Sequence, residues 1–299
     1  MFDYFNRIKS IRKKLLIQFG LLITFSMLLM VIMLFTIEKI TQFTTLRRNS
    51  LQLYNIVYKM RTAEKDFIIQ DLTDENFYKN GSSTNISKFK ELHQEAHKRI
   101  LAIQEFPSAS DHINLDSLKS ASAFLDKYAS RFHDLSELYK QRGFKDFGLE
   151  GTLRQAIHDI EKGSENFDKV LMLTLRRNEK DFLLRLDHQY VVKFDTTLAK
   201  FLTSARENGN TDAFIEKVNT YNSAFHLMVD LYKDLGTSTD KGIKGDLKTS
   251  VEKMDPVLEG LVRSISSNVD STTNKAYLFL SWELLFILQS LFQSRQQMG

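Results

Sequence analysis

Cysteine is absent from the 299 residues, which excludes disulfides, thiolate metal sites and a cysteine nucleophile. Proline occurs twice, at Pro107 and Pro256, and glycine twelve times. So little punctuation speaks against a turn-rich β architecture and for long helices. Phosphate loops, nucleophile elbows and zinc-protease motifs are missing as well, so neither an enzyme nor a bound cofactor is expected. A basic face is also lacking. The whole net charge of +4 sits in residues 1–14, where Arg7, Lys9, Arg12, Lys13 and Lys14 stand against Asp3. The remaining chain is neutral and has nothing spare for a phosphate backbone, so no nucleic-acid partner is expected.

What is present begins with a long apolar run. Leu15 to Ile37 contains no ionisable residue over 23 positions, more than the roughly 20 that carry a helix across ~30 Å of hydrocarbon. A secretory signal has a shorter core and a small-residue cleavage site, which this stretch lacks. The spacing therefore predicts a retained transmembrane helix. The cations before it place the N-terminus in the cytoplasm, so residues from about 38 onward face outward. A second apolar segment, 276–292, suits a return crossing by position but is interrupted by Glu283 and Gln289. A charge near mid-bilayer costs about 2.5–3.5 kcal/mol on insertion scales. The expectation is a partial or degraded second span in a truncated or frame-shifted chain, with the reading frame lost near residue 280.

Between these segments the apolar spacing is helical. Leu46, Leu53, Met60 and Phe67 recur every seven residues, and Asn80-Gly81 is a stop. Further helices are expected over 86–105 and from a Ser110-Asp111 cap to about Arg142. A long fourth helix is expected from Phe147–Thr152 to Asn208-Gly209, then one from Thr211-Asp212 to Leu235-Gly236. A last one follows Asp240, with Pro256 able to kink it.

Two motifs recur. Arg61-Thr62-Ala63-Glu64-Lys65-Asp66-Phe67 returns 115 residues later as Arg176-Arg177-Asn178-Glu179-Lys180-Asp181-Phe182. Gly148-Leu149-Glu150-Gly151-Thr152-Leu153-Arg154 matches Gly242-Ile243-Lys244-Gly245-Asp246-Leu247-Lys248, each set to open the last helix of a module. At 1.5 Å per residue Glu64 would stand about 39 Å up the first helix and Glu179 about 42 Å above the foot of the fourth. The two motifs would then meet on antiparallel helices. The expected fold is all-α: two stacked four-helix bundles sharing two long helices, behind an N-terminal transmembrane helix and a weak second one.

The paired Arg-x-x-Glu-Lys-Asp-Phe segments and the Gly-Leu-x-Gly-x-Leu-Arg segments resemble the helical bimodular sensor domain of bacterial methyl-accepting chemotaxis receptors, found also in some sensor histidine kinases. The resemblance covers about residues 40–275. It implies a periplasmic sensor over 38–275, flanked by a cytoplasmic tail at 1–14, the span at 15–37 and the degraded segment at 276–299. It further implies a homodimer in the inner membrane that binds small organic carboxylates. The sensor region of a histidine kinase, or an anchored helical interaction protein without a small ligand, are the alternatives.

Glu64 and Glu179 lie among apolar positions and call for cationic partners. One reading is an ion cluster in which they cross-pair with Arg61 and Arg176 and lock the modules together. The other leaves Arg61, Arg176 or Arg177 free to grip a ligand carboxylate through a bidentate guanidinium. Arg154 and Lys248, in first helical turns, are further candidates for an anion site. His93 and His97 are four apart, but with only Glu91 and Glu95 nearby a solvated face is expected and no metal.

Overall fold

The computed structural model describes residues 11–106, 113–163 and 166–296, and among them there is helix and no strand. Helix α1 (Ile11–Gln70) is followed by a 3₁₀ turn over Asp71–Thr73 and a short α2 (Glu75–Asn80). Asp74 caps α2 by accepting from the Asn76 N–H, and Gly81 ends it at φ 69°. Helix α3 covers Thr84–Gln104 and α4 Leu115–Arg142. The expected Ser110-Asp111 cap lies outside the described residues, and Asn114 takes the role instead. Its Oδ1 accepts from the N–H groups of Asp116 and Ser117, each at 3.0 Å.

The long helix expected from about 147 to 208 is three helices: α5 (Gly148–Glu161), α6 (Lys169–Arg185) and α7 (Gln189–Glu207). The breaks have local causes. Asp168 turns back to accept from the N–H groups of Val170 and Leu171. Leu186 adopts a left-handed φ of 54°, and the Asp187 carboxylate captures the Gln189 N–H at 2.9 Å. Asp side chains that satisfy free N–H groups start helices, and here they do so without any proline to announce it. α8 (Asp212–Leu235) opens on Thr211, whose hydroxyl accepts from Phe214 N–H. α9 (Gly242–Gln296) carries Pro256 in its interior.

The chain divides into two compact units. One comprises Met1–Leu53, Arg99–Leu118 and Glu259–Gly299. Within it Phe43, Leu46 and Leu53 of α1, Ile100 and Ile103 of α3, and Leu261, Ile265 and Val269 of α9 are buried. Phe43 meets Phe106 at 5.4 Å between ring centres, and Arg47 pairs with Asp270 at 3.1 Å. The N-terminal part of α1 is different: its large apolar side chains between Leu16 and Ile37 are mostly exposed. This stretch holds the one segment among the described residues long and apolar enough to cross a bilayer, with mean hydropathy 2.5 and none of it buried.

The other unit comprises Tyr54–Lys98 and Lys119–Leu258 and contains two groups of helices. α5, α6, α7 and α8 share one core built on Ile157, Phe182, Phe194, Phe201, Phe214 and Phe225. The second group takes its core from α1 (Met60, Phe67), α3 (Phe89), α4 (Tyr128, Phe132, Tyr139) and α9 (Leu247, Met254). Phe67 packs edge-on against Phe132 at 5.5 Å, and Phe182 packs edge-on against Phe225 at 5.7 Å. Phe89 lies 4.1 Å from Phe132, and Phe194 lies 4.0 Å from Phe225. The repeated motifs thus sit in equivalent packing.

Helix order, though, is exchanged. α5 follows α4 in the chain but packs along α8, whereas α9 follows α8 and joins α1 and α4. The chain passes between groups at two glycine loops. Gly148 (φ 60°) and Gly242 (φ 58°) open the exchanged helices in the left-handed region. Three residues on, a Cβ on Gly151 would collide with the Asp146 carbonyl group, and one on Gly245 with that of Asp240. Only glycine fits such a turn.

Candidate functional site

A cavity of about 610 Å³ opens in the group made by α1, α4 and α9, a size suited to a small molecule. Its apolar wall is Ile68, Leu135, Leu247 and Val251. Four cations face it, Arg61, Lys65, Lys244 and Lys248, against the acids Glu64, Glu252 and Asp255.

These groups are not equally engaged. Arg61 Nη1 donates to both oxygens of Asp255, at 3.0 and 3.2 Å. Lys248 is held by Asp240. The Tyr128 hydroxyl donates to the Glu64 carboxylate. Burial pushes the Glu64 pKa up, with the Tyr128 hydrogen bond and the charges of Arg61 and Lys65 opposing it. Burial and the Glu64 charge push the Tyr128 phenol far up, so it stays a neutral donor.

Lys244 differs. Its ammonium is half-buried and stands 5.8 Å from the centre of the Tyr139 ring. Burial and the neighbouring Arg142 hold its pKa below the lysine range. Arg142 in turn touches the Tyr78 hydroxyl at 3.3 Å and the Tyr139 ring at 5.1 Å. Burial keeps the phenols of Tyr139 and Tyr232 protonated, so they do not neutralise it. Among the described residues no carboxylate forms an ion pair with Lys244 or Arg142. A desolvated ammonium without a counter-ion is costly, and an anion entering the cavity beside Lys244 would relieve it.

The second helix group repeats the frame without this feature. The Tyr221 hydroxyl donates to Glu179 at 2.5 Å, Lys180 pairs with Glu179 at 2.6 Å, and Arg176 pairs with Glu161. Asp255 and Glu161 each stand 13 residues after the glycine that opens their helix. The position of Lys244, two residues after that glycine, is Glu150 in the other copy.

Of the expected ligand residues, Arg61 and Lys248 line the cavity and Arg176, Arg177 and Arg154 do not. Arg154 is engaged with Asp146 at 3.2 Å, and Arg177 is exposed. The expected cross-paired cluster is corrected too. Glu64 and Glu179 each take a tyrosine of their own helix group, and the two arginines take Asp255 and Glu161. An acid that can pair within its own group has no need of a long reach. Lys244, Arg142 and Tyr139 escaped sequence reasoning. The signal available was the charge reversal between Glu150 and Lys244 inside otherwise matching glycine motifs. A comparison with protein-family models and with curated proteins returns no match.

Proposed function

We propose that this chain is the ligand-binding part of a bacterial transmembrane receptor for small organic anions, with two stacked helical bundles over 38–275 held in the periplasm as a homodimer. Residues 15–37 anchor it in the inner membrane, and 276–292 form a weaker second crossing. The reading rests on the desolvated charge of Lys244, which no described carboxylate pairs and which lines a cavity of about 610 Å³. A monocarboxylate or dicarboxylate would accept from Lys244 while its apolar part lies on Leu135, Leu247 and Val251.

The placement supports signalling. Arg61 lies on α1 and Asp255 on α9, and their ion pair borders the cavity. A carboxylate competing for Arg61 loosens that pair and shifts α1 against α9. Small displacements between packed helices are a common currency of receptor switching.

Thermal-shift screening and calorimetry with mono- and dicarboxylates test this. A ligand at 100 times its dissociation constant stabilises the protein by about 2.7 kcal/mol. Lys244→Met is expected to weaken binding at least about tenfold, as loss of a charge-assisted hydrogen bond requires, while Lys244→Arg retains most of it. Absence of any stabilising carboxylate favours an anchored helical interaction protein instead.

A further inference from the structure

We infer that His93, His97 and Asp126 form a binding site for a divalent transition-metal ion, with zinc, cobalt and nickel as the fitting class. His93 and His97 sit one turn apart on α3, and Asp126 comes from α4, which no sequence spacing pairs with them. The ligand atoms converge: His97 Nε2 is 2.7 Å from Asp126 Oδ1, His93 Nε2 is 3.2 Å from the same oxygen, and the two Nε2 atoms are 3.2 Å apart.

The proton arrangement is awkward without an ion. If both imidazoles donate to the one oxygen, their N–H groups face each other at 3.2 Å. If one turns its lone pair inward, it points at the carboxylate instead. A cation at the centre replaces every repulsive edge with a bond. Tetrahedral zinc, with bonds of about 2.0–2.2 Å, spaces its ligand atoms roughly 3.3 Å apart, close to the edges found here. Two imidazoles and a single carboxylate suit borderline metals and not calcium or magnesium, which require more oxygen. The histidine side chains are 23% and 34% exposed, so an ion can enter and a fourth coordination position is open. None of the three residues lines the carboxylate cavity. The ion would staple α3 to α4 beside the Phe89–Phe132 contact.

The full chain in detergent, free of any histidine tag and stripped with EDTA, is titrated with Co(II) and then Zn(II). One equivalent per chain is expected, with the visible absorption of tetrahedral cobalt and its loss on zinc addition; magnesium and calcium leave the signal unchanged. His93→Gln and His97→Gln should each raise the zinc dissociation constant at least about 100-fold, more than loss of an outer-shell partner. Lys244→Met should keep the full equivalent, which separates this site from the cavity. No saturable equivalent in the wild type, or an unchanged dissociation constant in either histidine variant, overturns the inference. The wild-type stoichiometry decides the matter even if a variant misfolds.

Discussion

The acid of each Glu-Lys-Asp-Phe motif shows how a single residue trades burial against partners. Burial raises the Glu64 pKa although Tyr128, Arg61 and Lys65 oppose it. The folded chain therefore holds more protons than the unfolded one between the two pKa values, and stability falls as pH rises through that window. Glu64→Gln keeps an acceptor for Tyr128 and removes the buried charge. Its melting temperature is expected to equal or exceed wild type at pH 7, with the difference vanishing as pH falls toward about 4. A melt series across that range that shows a constant deficit refutes the account. Arg61→Ala belongs at this scale too. The Arg61–Asp255 pair is about one-third exposed on both sides, so its loss should cost no more than about 1 kcal/mol. Carboxylate affinity should drop more than that, and paired denaturation and calorimetry measurements separate the two effects. Tyr221→Phe removes the donor to Oε2 of Glu179, a carboxylate 2% exposed whose other oxygen keeps Lys180, and should destabilise by about 1–3 kcal/mol in urea unfolding.

Among the elements, the exchanged helices depend on their glycine openings. Gly148 and Gly242 need positive φ, and Gly151 and Gly245 have backbone where a Cβ would go. Gly151→Ala and Gly245→Ala should each cost at least about 2 kcal/mol, since rigid backbone must move. Gly260 is the control: it lies inside α9, and a Cβ placed on it would meet nothing within 4 Å. Gly260→Ala should stabilise by about 0.5–1 kcal/mol through helix propensity alone. Chemical denaturation of the three variants side by side tests the contrast. The aromatic pairs of the helix groups belong here as well. Phe67→Ala and Phe182→Ala each remove a ring packed against two or more others and should cost about 3–5 kcal/mol.

For the whole molecule, the exchange makes a prediction about dispensability. The end of α4 and the start of α9 are neighbours: Leu138 and Gln141 border one groove with Gly242 and Ile243. Joining Arg142 directly to Gly236 removes 143–235 and leaves α1, α3, α4 and α9 with an equivalent glycine loop. This shortened chain is expected to fold cooperatively, with helical circular dichroism and a single melting transition. It should keep the cavity residues Arg61, Lys244 and Lys248. A non-cooperative melt would mean that the helix group formed by α5 to α8 is required for the other.

Much of this was legible locally. The all-helical class follows from scarce proline and glycine, and the start of α8 follows from the Thr211 cap. The glycine motifs mark the starts of α5 and α9 because steric demand at a turn is written in the residues that form it. The apolar run before residue 38 is legible as well, as a helix long and apolar enough to cross a bilayer, because that depends on length and composition alone. The tertiary structure decided the rest. The new starts at Asp168 and Asp187 rest on aspartate caps, which a helix interior would also tolerate as surface residues. Which fourth helix joins which group depends on long-range packing, and repeated motifs are silent about it because both partners offer the same apolar face. The contacts that Glu64, Lys244 and His97 make with Tyr128, Arg142 and Asp126 come from other helices, so distance in space and not spacing along the chain brought them together.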